Sequence, residues 1–281
     1  MNKVQIAVLS AAFAAVVFLM CLPRVVVENN TNLGKTEKNQ TTADKTDQNA
    51  TDPETTEHHS PVSESAQQAI DLLRQKFFDT TDAKSKKEVL DSLTQVYRAA
   101  NLFDSAAHYL SLYAKQTQQT PDYLRAADGY FEAFGFAVNP QKNTLLAENA
   151  RAMYEQVLKA EPKNHSAKVR YALTFTVSQQ PMNAVRYLRE VLTDDPSNQE
   201  ALFQLGVLSI QSGQYDKAVE RFKALLAKYP NDQNARLNLG ISLANLGKKD
   251  LALKELDAVL KTASDTLVKL EAQRLADELR Q

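Results

Sequence analysis

The 281-residue chain has no tryptophan and a single cysteine. With Cys21 alone, no disulfide closes within the chain and no cluster of thiolates can hold a metal. Glycine and proline are sparse, at 7 and 9 residues. No stretch alternates apolar and polar residues over the length of a strand, so no sheet is expected. The formal net charge is −1, which removes any global attraction for nucleic acid. Signatures of chemistry are missing too: there is no nucleophile elbow, phosphate loop, HExxH or metal-ligand spacing. His108 and His165 stand apart, and His58-His59 lack further ligands. No catalytic, cofactor or metal residues are therefore expected, and the chain does not read as an enzyme. What remains plentiful is Ala, Leu, Gln, Lys and Glu over the second two-thirds, a helix-forming composition.

The chain divides into three parts. Residues 1–27 hold the apolar run Val4–Leu22, interrupted only by Gln5 and Ser10, behind Lys3. As a helix it would reach about 29 Å, close to the hydrocarbon thickness of a bilayer. Pro23, Arg24 and Val25 fit a signal-peptidase site poorly, and Phe18, Leu19 and Met20 fit poorly before a lipidated Cys21. A retained signal-anchor is thus favoured over a cleaved signal or a lipoprotein. The short N-terminal tail favours an orientation that carries the remainder across the membrane. Residues 28–62 are Asn-, Thr- and acid-rich, with seven carboxylates against Lys35, Lys38 and Lys45. They bury too little apolar surface to offset chain entropy and are expected to be a disordered tether. As a coil its span is about 30–35 Å. Asn29, Asn39 and Asn49 head N-x-T triplets that this composition supplies by chance.

Residues 63–281 repeat. Leu202, Leu205, Gly206, Ala218, Phe222 and Pro230 set a pattern of large, large, small, small, aromatic and breaker. Ala184, Ala218 and Ala252 follow one another at 34 residues, as do Pro162, Pro196 and Pro230. The small residues mark helix crossings, where a larger side chain would hold the backbones apart. The prolines end helices. Repeats are expected near 87–119, 120–164, 165–198, 199–232 and 233–266, with capping helices at 63–79 and 267–280. The second is ten residues too long, with the excess placed around Phe134–Lys142 as a longer first helix and a second helix delayed to about Pro140. Tyr123, Tyr130, Phe131, Phe134 and Phe136 concentrate there, either as core or as a docking ridge.

In these residues the chain resembles the tetratricopeptide repeat family, most closely in repeats three to five. The resemblance implies an all-α superhelical solenoid of antiparallel helix pairs, A and B, that binds protein or peptide partners on the inner face of the A helices. On the family's pattern that face carries Val169, Leu173 and Val177 in repeat three, Phe203, Val207 and Ile210 in repeat four, and Leu237 and Ile241 in repeat five. Repeats one and two offer Asp91, Gln95, Arg98, Leu124, Asp128, Phe131 and Glu132 instead. An apolar groove would take an amphipathic helix or an apolar extended segment; the alternative is that curvature or the last helix buries these side chains as core. Anchor, tether and array together resemble bacterial inner-membrane tetratricopeptide proteins, including subunits of cytochrome c maturation and periplasmic co-chaperones. The resemblance implies a scaffold or assembly factor at the membrane with its array in the periplasm. A homo-oligomer is the competing structural reading.

Overall fold

The computed structural model describes residues 62–281. The expected anchor over 1–27 and, but for Val62, the expected tether lie outside the described residues. Among the described residues there are twelve α-helices and no strand, and no helix is long and apolar enough to cross a membrane. In chain order they are α1 Glu64–Asp79, α2 Ala83–Ala99, α3 Phe103–Thr117, α4 Thr120–Phe136, α5 Pro140–Ala160, α6 His165–Leu173, α7 Met182–Asp194, α8 Gln199–Gln211, α9 Tyr215–Lys228, α10 Gln233–Asn245, α11 Lys249–Thr262 and α12 Thr266–Arg280. Each packs on the next, and α6, α8, α10 and α12 also touch in succession. The result is an α-solenoid of five A–B hairpins, α2–α3 through α10–α11, flanked by α1 and α12.

The two kinds of turn have different chemistry. Before α2, α6, α8 and α10, the side chains of Asp82, Asn164, Asn198 and Asp232 accept the backbone N–H three residues on. Each meets one of the donors that a helix start leaves unpaired. The B helices α3, α7, α9 and α11 have no side-chain cap. Three of the A helices that precede them end in a left-handed residue: Asn101 at φ 60°, Gly213 at 69° and Gly247 at 70°. In each case the next N–H reaches back five residues, as in Leu102 to Tyr97 O at 2.8 Å and Gln214 to Ser209 O at 2.8 Å. That is a Schellman closure, and it favours glycine.

The core runs between A and B helices. Leu90, Leu93, Tyr154, Leu188, Phe222, Leu225 and Leu256 are fully buried. At Gly206 the A helix of repeat four comes so close that a Cβ would stand 2.5 Å from the Phe222 ring. Repeat two accommodates its extra residues in both helices, not mainly in the first: α4 has 17 residues and α5 has 21, against 13 and 14 in repeat four. The added turns project beyond the neighbouring hairpins at the A-to-B edge, where Asn143 Nδ2 donates to Phe134 O at 2.9 Å and closes the turn.

Candidate binding face on the A helices

The predicted groove residues separate by depth. Val169, Leu173, Val207 and Leu237 are buried, while Phe203, Ile210 and Ile241 are half-buried. The close succession of A helices encloses the first group, and α12 closes the end of the array. Its Val268, Ala272 and Ala276 form one cluster with Leu237, Leu256 and Val259, against which Ile241 packs. These side chains occur together, but four of the eight serve as core.

Val177, expected on an A helix, lies in turns beyond α6. That helix stops at Leu173 after nine residues. The chain continues through i→i−3 bonds, Phe175 N to Ala172 O, Thr176 N to Leu173 O and Ser178 N to Phe175 O. Three hydroxyls enforce this. Thr174, Thr176 and Ser178 donate to Tyr171 O, Leu173 O and Phe175 O at 2.6, 2.8 and 2.8 Å, occupying carbonyls that a regular helix would use. Arg151 of α5 donates to Thr174 O at 2.9 Å and lies 4.1 Å over the Phe175 ring. Gln179 stands where Gly213 stands one repeat later, and the left-handed closure seen there is not made.

The N-terminal half of the face is charged and internally paired. Arg125 of α4 bridges to Asp91 of α2, and Arg98 Nε lies 2.9 Å from Glu132 Oε2. Asp128 Oδ1 accepts from Arg170 Nη1 at 2.6 Å and from Tyr154 Oη at 2.7 Å. Burial, reinforced by the Asp128 carboxylate, holds the Tyr154 phenol well above its ordinary pKa, so it remains a neutral donor. Burial opposes the charge on Arg170, but Asp128 outweighs it and the guanidinium is held above its ordinary value. Sequence reasoning did not single out Arg125 or Arg170. The signal was present: Asp91 to Arg125 and Arg98 to Glu132 are each 34 residues apart, so opposite charges recur at one repeat's separation.

The aromatic residues of repeat two also divide. Tyr130 is buried and Tyr123, Phe131 and Phe134 are half-buried, whereas Phe136 is exposed and stacks on Phe103 at 4.4 Å between ring centres. Among the described residues no group of three or more His, Cys, Asp and Glu side chains is placed to hold a metal. His165 Nε2, at the start of α6, faces Asp194, at the end of α7, at 3.6 Å.

Stacked A–B hairpins with small residues at the crossings define a helical-repeat protein in which successive A helices line up on one face. The tetratricopeptide repeat model matches residues 177–231 and 209–273, so this part of the chain carries tetratricopeptide repeats. Among solved structures, one of MamA is 16% identical, covering 62% of this chain and 90% of that one with a TM-score of 0.47. MamA 41-end from Desulfovibrio magneticus RS-1 is 16% identical, covering 66% and 100% with a TM-score of 0.49. YrrB, described as a TPR protein with an unusual peptide-binding site, is 21% identical, covering 75% and 98% with a TM-score of 0.41. No curated protein sequence matches the chain.

Proposed function

We infer that this chain is a membrane-tethered scaffold, an assembly factor or co-chaperone, that captures a protein partner on the face of α4, α6 and α8. The supporting observation is that Phe131, Phe203 and Ile210 stay half-open on a face whose N-terminal carboxylate–arginine pairs already neutralise one another. Such a face offers apolar contact without a demand for charge, which suits an apolar segment or the apolar side of an amphipathic helix. The membrane tether and the periplasmic placement rest on Val4–Leu22 and the polar stretch after it.

Crosslinked affinity capture from membranes, comparing the full-length chain with Phe203→Glu/Ile210→Glu, tests the reading. A partner lost from the variant while its melting transition persists supports groove binding. The same partners captured by both proteins would move the function to another surface.

Self-association is the second reading, favoured by exposed Leu72 on α1 and Leu267 and Leu270 on α12, at the two ends of the array. Gln273 weighs against a tight end-to-end stack. Counted from its N-cap, it holds the place of Gly206 and Gly240, where an added Cβ already crowds the partner helix. A mass that is independent of concentration in sedimentation would exclude this reading.

A further inference from the structure

The A-to-B edge of the solenoid carries a feature that partner binding on the A face does not use. The long hairpin of repeat two overshoots its neighbours there: α5 has ten residues ahead of the crossing residue Ala150, against three in α3 ahead of Ala106 and two in α7 ahead of Ala184, about 10–12 Å of extra helix. Its tip is apolar. Phe136 is 50% exposed, Val138 76% and Leu145 52%. From Ala133 to Ala147 the finger has no carboxylate, and its one charge, Lys142, is paired with Asp104 at 3.0 Å. Met182, at 72% exposure, opens α7 on the same edge, and the exposed Lys248 and Lys249 stand at the α10–α11 turn.

The entry of the chain lies on this edge as well. α1 packs on α2 after a three-residue turn, and Lys86 near the start of α2 lies 5.0 Å over the Phe77 ring near the end of α1. The two helices therefore run antiparallel, which sets Ser63 and the start of α1 beside the end of α2. Sixty-one residues precede the described part, and their sequence holds the apolar run Val4–Leu22 followed by a polar, acid-rich stretch.

We propose that the A-to-B edge, led by Phe136, Val138 and Leu145, is a membrane-contacting surface that seats the array on a lipid bilayer. The apolar finger enters the headgroup boundary without burying a lone charge. The proposal rests on the membrane-tether reading above. The binding face is then held at a fixed height above the bilayer.

The test uses the full chain with Cys21→Ser, reconstituted in vesicles of equal parts phosphatidylcholine and phosphatidylglycerol that carry nitroxide-labelled lipid. A fluorophore is placed at Gln141→Cys on the finger or at Lys163→Cys on the opposite edge. Flotation of the vesicles reports the tether independently. Most of the fluorescence is lost at position 141 and little at 163. The variant Phe136→Ser/Val138→Ser/Leu145→Ser regains the signal at 141 while still floating and melting as before. Flotation with no quenching at 141, or with equal quenching at both edges, overturns the edge contact and leaves the tether standing. Absence of flotation overturns both.

Discussion

Gly206 shows how little room a single position leaves. The Phe222 ring fills the space a Cβ would enter, at 2.5 Å, and that ring is fully buried. Gly206→Ala must displace it, at a cost of about 1–3 kcal/mol, read as a lower midpoint in urea. Asp128 is a second such position. It is the acceptor for both the Arg170 guanidinium and the fully buried Tyr154 hydroxyl. Asp128→Ala strands both donors and is expected to destabilise by about 1–3 kcal/mol. Asp128→Asn, which keeps an acceptor for Tyr154 but loses the charge beside Arg170, is expected to fall between the two in the same titration.

At the scale of elements, α6 departs from the pattern most. A helix of nine residues replaces the thirteen of α8 and α10, because Thr174, Thr176 and Ser178 bond locally and Gln179 occupies the glycine position. Arg151 stabilises the resulting turns from α5, bonding Thr174 O and lying on Phe175. Arg151→Ala is expected to cost about 1–3 kcal/mol, since it leaves the Thr174 carbonyl without that donor. Arg151→Lys should recover only part of this, because an ammonium lacks the planar fork and stacks less well. Thermal melts of the three proteins decide the order. The last helix has the opposite character. α12 follows the helical pattern fully, and its Val268, Ala272 and Ala276 complete the core of repeat five.

At the scale of the whole array, contacts are between neighbours, so stability is local. The packing is most extensive among α3, α4 and α5 and thinnest between α5 and α6. Native-state hydrogen exchange is therefore expected to show strongest protection in α3–α5. The amides of residues 174–180 should exchange fastest within the hairpins, ahead of any global opening. Uniform protection across that junction would mean that repeats two and three open as one cooperative unit.

Much of this was legible in the sequence. The 34-residue return of Ala184, Ala218 and Ala252, with Pro162, Pro196 and Pro230, determined the class of fold, because helix crossings demand small residues and helix ends tolerate proline. Gly213 and Gly247 stand at their left-handed turns, whereas Gln179 in the same register carried a signal that the placing of Val177 on an A helix missed. Depth was not legible. Val169, Leu173, Val207 and Leu237 share a helix face with Phe203 and Ile210, and periodicity assigns a face without saying how closely the next helix approaches it. Only the stacking of A helices, with α12 laid over Leu237, decided which of them became core. The same holds for charge. The sequence supplied Asp91, Arg98, Arg125, Asp128, Glu132 and Arg170, while the tertiary structure decided that they neutralise one another across adjacent repeats, because opposite charges one repeat apart meet only when the helices stack in register.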